Sequence, residues 1–355
     1  MSRGPIIQGL TLAALRGKQG ERTLYQVLVP NSVLNNFFTV NMDPPEEKSQ
    51  RQLDPKHARD IAEYISDNPE EYVLGALIYA LDQECSFESS DINADVGVLT
   101  IPFGTNLRSL DGQHRRQGLN EAIASDAQLA NDHTAVLMYV EPDVTKRRQM
   151  FSDMNATPKV VAKALNVSFD SRDPFARAAQ NLASSHPLLA GVIETEAARV
   201  KTGGDKWYSL GAVFDVLKRL QVGPNGRVRN PSQYFESAIT DRGSAFFDLL
   251  KAARPEYRRV RNGNDDLNVL RSNSILFSST TLRAIAGAVY LRLQEDGEDT
   301  DLSVYVPGLS KVCFLPDAEE WMSTGFVSPG KSTPNARNQE VLAATRKIAE
   351  LIAPY

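Results

Sequence analysis

The spacing of apolar and polar positions changes several times along the first 170 or so residues. TLYQVLVP, residues 23–30, is rich in β-branched and aromatic side chains and predicts a strand. DPKHARDIAEYISDNP, residues 54–69, switches to helical spacing. Ile61, Tyr64 and Ile65 share one face, Asp54 can cap the first turn, and Pro55 takes the first helical position. The apolar runs 71–81, 96–103, 107–110 and 134–141 have strand length. Residues 114–129 are helical, with Leu119, Ala122 and Ile123 on one side, and 143–156 form another helix behind Asp143 as its cap. Strands alternating with helices predict an α/β domain of mixed α+β character over residues 1–172. Beyond it, 173–185, 207–221, 231–252, 273–295 and 335–353 all keep a 3.6-residue period, so 173–355 should be largely helical. Turn-forming residues crowd 220–232 and 323–338.

Composition adds limits. With 42% hydrophobic and 23% charged residues, the 355-residue chain has the makeup of a globular protein with a sizeable core. No run of about 18 apolar residues occurs, so no membrane partner is expected. The N-terminal MSRGPIIQGLTLAALRGKQG has an apolar patch without a small-residue cleavage site and reads as mature structure. Cys85 and Cys313 lie far apart, which fits a reducing cytoplasm, and neither sits in a motif that would lower a thiol pKa. The histidines at 57, 114, 133 and 186 lack metal-ligand spacing, and His57 and His133 are assigned to structure. The apolar stripe at 275–291 and the two tryptophans, Trp207 and Trp321, are read as core.

Charge is uneven. Residues 41–100 carry fourteen acidic and four basic side chains, a net −10, whereas 199–261 carry thirteen basic and six acidic ones, a net +7. A nucleic-acid footprint therefore belongs to the basic segment. Its candidates are Lys218, Arg219, Arg227, Arg229, Arg254, Arg258, Arg259 and Arg261, and Tyr257 among them can stack on a base or pack. No helix-turn-helix stands out, so phosphate contacts should outweigh base readout. The acidic 41–100 segment is the competing partner for these arginines, within the chain or across a homodimer.

The densest chemistry lies in RSLDGQHRRQGLNEA, residues 108–122. A strand, Asp-Gly and then a helix leave first-turn N–H groups open at the positive end of a helix dipole, which suits an anion. Gly112 allows close approach, Gln113 and His114 offer neutral hydrogen bonds, and Arg115 and Arg116 offer planar forks to phosphate. Asp111 can bind a metal ion, cap the helix or orient an arginine. The alternative is a capped turn followed by a solvated arginine face.

DGQHR, with a small residue (Gly118) three positions later, resembles the signature of the DGQHR-domain family, and within it most closely the DndB family of DNA phosphorothioation systems. Residues 48–78 resemble that family's first block and 147–174 its third. Gly118 stands where the family often has alanine, a departure expected to touch helix stability more than chemistry. A more distant resemblance connects the three blocks to the ParB and sulfiredoxin superfamily, which implies a ParB-like fold for the first domain.

Carried over by position, that resemblance puts Gly112, Gln113, His114 and Arg115 on a nucleotide-phosphate motif, and Asp153, Asn155 and Lys159 on a block that helps with metal and phosphates. Arg51, in the first block, could reach the same pocket. The implied cofactor is ATP or another nucleoside triphosphate with Mg²⁺, held through Asp153 and Asn155. FSDMNATPK also reads simply as a helix end. The resemblance implies an accessory protein that binds duplex DNA, represses the modification genes and works beside other proteins of the system. The alternative is a Mg²⁺-dependent nucleoside triphosphatase with Asp111, Gln113 and His114 as its catalytic groups. A ParB-like nuclease ranks last, because no clustered carboxylates for two metals are evident.

Overall fold

The computed structural model describes residues 9–38, 53–156, 161–228 and 230–354, without the side chains of Asn35, Asn155 and Ala156. The chain divides into two compact units, 1–159 and 160–355. The division precedes the change of pattern at 172 because helix Lys163–Phe169 buries Ala164 and Val167 in the core of the second unit.

The first unit is built on β1 (Gly9–Gln19), β2 (Arg22–Pro30), α1 (Asn31–Phe37), α2 (Pro55–Asp67), β3 (Leu77–Leu81), β4 (Ser86–Ser89), β5 (Val96–Pro102), β6 (Leu107–Asp111), α3 (Gln113–Ser125), β7 (His133–Val140) and α4 (Val144–Ala156). The strands form one seven-stranded sheet in the order β4-β5-β1-β2-β7-β3-β6. The fold is mixed α/β as expected, but the alternation of strands and helices does not make a parallel sheet. Only β3 and β7 pair in parallel, and the other described pairs are antiparallel. Hairpins and long returns join neighbours here, so chain order and sheet order part company.

Alternation along the strands sorts side chains to two faces. Leu77, Tyr79 and Leu81 of β3, with Val136, Met138 and Val140 of β7, meet Leu34, Ile65, Leu119 and Ala122 from the first three helices. Ala80 and Tyr139 point the other way and pack with Leu110 beneath Met150 of α4. The expected strand 71–81 shrinks to Leu77–Leu81, because residues after Pro69 first turn back, with Tyr72 N–H donating to Asn68 O at 2.9 Å. The expected helix 114–129 stops at Ser125, and Asp126 caps a short 3₁₀ turn at Ala127–Asn131. Asp54 caps α2 through Lys56 N–H, with Pro55 at the first position.

Gly118 is where α2 and α3 touch. A Cβ there would lie 2.7 Å from Ala58 O and from Ile61 Cβ. The glycine therefore serves a close helix crossing, and its expected effect on helix propensity is secondary.

The second unit is largely helical: α5 (Lys163–Phe169), α6 (Pro174–Ser185), β8 (Ile193–Glu194), β9 (Tyr208–Ser209), α7 (Leu210–Val222), α8 (Glu236–Ala253), α9 (Pro255–Arg261), α10 (Leu267–Asn273), α11 (Ser279–Asp296), α12 (Val306–Lys311), α13 (Glu319–Ser323) and α14 (Asn338–Leu351). α11 lies at its centre, with Ala284, Ile285, Ala286, Ala288 and Val289 all buried. Trp207 and Trp321 are buried in the same core. Among the described residues no helix is long and apolar enough to cross a membrane.

Candidate functional site

β6 delivers the chain to Asp111 at its last position, and α3 begins at Gln113. Between them Gly112 turns the chain with φ +91°, a conformation that strains any residue with a Cβ. It is also enclosed, since a Cβ would fall 2.5 Å from Leu77 Cδ2.

The turn is closed by its own charges. Asp111 Oδ1 accepts from Gly112 N–H at 2.6 Å, and Oδ2 pairs with Arg115 Nη2 at 2.6 Å. Arg115 Nη1 donates to Ala76 O at 3.0 Å. The guanidinium reaches that carbonyl because residue 75 is glycine, where a Cβ would lie 2.6 Å from Nη1. Gly75 and Ala76 hold Arg115 in place, and the sequence reading missed them. The only signal was a glycine inside an apolar run, and its partner lies 39 positions away along the chain. The Asp111 carboxylate thus sits at the N-terminal end of α3, where a helix attracts an anion. Both side chains are within reach of solvent, Asp111 at 53% and Arg115 at 24% exposure.

The remaining motif residues have other duties. His114 Nε2 accepts from Asp54 N–H at 2.9 Å, and its ring lies 5.1 Å from that of His57. The motif therefore ties the start of α3 to the start of α2. Burial, and then the neighbouring His57, push the His114 pKa down, while Asp54 and Asp111 pull it up less strongly. Arg116 is buried at 7% exposure, which removes it from both a solvated face and an open phosphate fork. Gln113 is half-buried at the first position of α3.

The direction of the His114 shift sets a pH dependence. Unfolded chains take up a proton near the ordinary value of 6.5, whereas the folded imidazole resists until lower pH. Its contribution to stability is complete above that value and is lost as pH falls through the depressed folded pKa. His186, also pushed down by burial, adds the same sign. His114→Gln keeps an acceptor but does not titrate, so denaturation midpoints measured from pH 7.5 to 5 should fall less steeply than in the parent. Parallel curves would show that His114 does not titrate in this window.

The expected metal ligands are less gathered. Asp153 lies on α4, which covers the sheet face opposite α3, and its Oδ1 accepts from Gln149 Nε2 at 2.6 Å. Asn155 is in the last turn of α4, and its side chain lies outside the described residues, as do Arg51 and Lys159. Among the described residues no three or more His, Cys, Asp or Glu side chains gather as a metal site. Burial pushes the Cys85 thiol up to about 11, away from the low value a reactive thiolate needs.

The cations of the second unit divide into interior and surface groups. Arg254 is buried, its Nη1 donating to Leu309 O at 3.2 Å and Val312 O at 2.9 Å while Nη2 pairs with Glu256 at 2.6 Å. It belongs to the fold and leaves the candidate DNA interface. Tyr257 is fully buried with its hydroxyl 2.7 Å from that of Tyr208, so it packs and cannot stack on a base. Lys218 and Arg219 are half-buried. Lys218 Nζ lies 4.3 Å from the centre of the Phe214 ring, and Arg219 Nη1 donates to Asp215 O at 3.4 Å. Arg261 is exposed but donates to Pro187 O and Ala190 O, and exposed Arg259 pairs with Asp265 at 2.7 Å. Arg227 and Arg258 face solvent, and Arg229 lies outside the described residues.

A family model described as DndB, DNA-sulfur modification-associated, matches residues 12–353. Neither the curated proteins nor the solved structures give a match. With nearly all of its length inside that match, and with the DGQHR turn built as a closed, glycine-dependent unit, the chain belongs to the DndB family of DNA-sulfur modification-associated proteins.

Proposed function

We propose that this protein is a cytoplasmic, DNA-binding accessory protein of a DNA phosphorothioation system and that it represses the modification genes. Family membership over residues 12–353 carries the reading. The exposed Arg227 and Arg258, with Arg259 and Arg261 beside the latter in α9, supply a surface for a phosphate backbone. The DGQHR turn is a second phosphate contact held shut by Asp111. An arriving phosphate takes over the Gly112 N–H and the Arg115 Nη2 that this carboxylate now occupies, while Nη1 stays on Ala76 O.

Fluorescence anisotropy with a duplex carrying the promoter of the modification genes, and with a scrambled duplex, tests the reading. Two to three phosphate contacts give a slope of log K against log salt of about −2 to −3. Arg227→Glu with Arg258→Glu should weaken both duplexes alike and make the slope shallower by up to about two units. Unchanged DNA binding with lowered stability or dimerisation would assign these arginines to the acidic 41–100 segment instead. Arg115→Ala should weaken binding about 10- to 100-fold, the loss of a charge-assisted pair, and Asp111→Asn should strengthen it. Weaker binding by Asp111→Asn would show that its carboxylate orients the site and does not stand in for the ligand.

A further inference from the structure

We propose that the second unit holds a separate pocket for a small phosphorylated ligand of nucleotide size, distinct from the DGQHR turn and from any DNA surface. The cavity has a volume of about 590 Å³, within the usual range for small-molecule sites. Four cationic side chains line it, Lys163, Arg199, Arg271 and Arg283, and Asp215 is the one carboxylate among its described lining residues. That carboxylate is already shared. Lys163 Nζ pairs with its Oδ1 at 2.5 Å and Arg283 Nη1 lies 3.7 Å from its Oδ2. Arg271 is anchored through Nη2 to the carbonyls of Lys206 and Trp207, which holds its guanidinium at the wall, and Arg199 is exposed at the rim. Positive charge therefore exceeds what the lining itself neutralises, and it is carried by positioned groups.

The backbone adds to this. The first turns of two full-length helices, α7 and α11, both border the cavity, through Gly211 and Ala212 and through Ser279 and Thr280. Their capping serines, Ser209 and Ser278, each engage one first-turn N–H, those of Ala212 and Thr280. Val200, Phe277 and Pro334 supply an apolar wall, and Ser332 and Thr333 supply hydroxyls. A polyanionic end on the cations and helix ends, with a flat apolar body on that wall, describes a nucleoside phosphate better than an inorganic ion, which would leave most of the volume unfilled.

The test is titration calorimetry of the full chain with ATP, CTP and GTP, with adenosine and pyrophosphate as part-ligands and a 20-base-pair duplex as competitor. At least one triphosphate should bind, more tightly than pyrophosphate, and adenosine should not. Arg199→Glu and Lys163→Ala should each weaken binding at least tenfold while thermal unfolding of the free protein stays near that of the parent. Asp215→Asn should strengthen binding several-fold. A variant that merely damages the fold cannot do this, so Asp215→Asn keeps the test decisive if Lys163→Ala unfolds. Arg115→Ala should leave nucleotide affinity unchanged whatever it does to DNA binding. The proposal is overturned if no triphosphate binds, if Arg199→Glu and Asp215→Asn change nothing, or if the duplex displaces the nucleotide. It is also overturned if Arg115→Ala alone abolishes nucleotide binding, which would place that ligand at the turn.

Discussion

Arg254→Ala is expected to unfold the second unit at moderate denaturant and to leave the DNA affinity of the remaining folded protein unchanged. The guanidinium is enclosed, lies 4.8 Å from the centre of the Phe314 ring, and supplies the donors for Leu309 O, Val312 O and Glu256. Removing it leaves the half-buried Glu256 carboxylate and the carbonyls of Leu309, Ser310 and Val312 without this donor, a loss of about 3–5 kcal/mol by analogy with other broken pairs around a buried charge. Urea denaturation followed by circular dichroism measures this. Arg258→Ala, one helical turn away on the exposed side, is the control and should cost under about 0.5 kcal/mol. Wild-type stability in Arg254→Ala together with weak DNA binding would return this arginine to the interface.

The second large effect is Gly112→Ala. A residue with a Cβ pays about 1–2 kcal/mol at this left-handed φ. The methyl also meets Leu77 Cδ2 at 2.5 Å, and overpacking of this kind adds about 1–3 kcal/mol. A total of about 2–5 kcal/mol should appear in the denaturation midpoint of the first unit. Relief of the clash without relief of the strain is obtained from Gly112→Ala in a Leu77→Ala background. If that pair is as stable as Leu77→Ala alone, the backbone conformation contributes nothing and the clash with Leu77 accounts for the whole loss.

Local chemistry was legible in the sequence wherever a few neighbouring residues decide the outcome. Asp54 and Pro55 announce α2, Asp143 announces α4 through the N–H groups of Thr145 and Lys146, and the strand–Asp–Gly–helix order is found where DGQHR stands. Such features depend on capping and φ preference, which act over about one turn.

Contacts made across the fold were not legible. Nothing in DGQHR says that Arg115 would be held by Ala76 O, that His114 would accept from Asp54, or that Arg116 would point inward. Nor does RPEYRRVR say which of its arginines is buried. Arg254 and Arg258 carry the same charge, four residues apart, yet one is inside and the other outside because the C-terminal end of α12, at residues 309–312, closes over the first. The cavity between α7 and α11 joins residues from 163 to 336, each unremarkable in its own segment. Charge and residue type are properties of the chain, and they set what chemistry is available. Burial and partnership depend on which distant segments pack together, and tertiary structure alone decides which of those charges can meet a ligand.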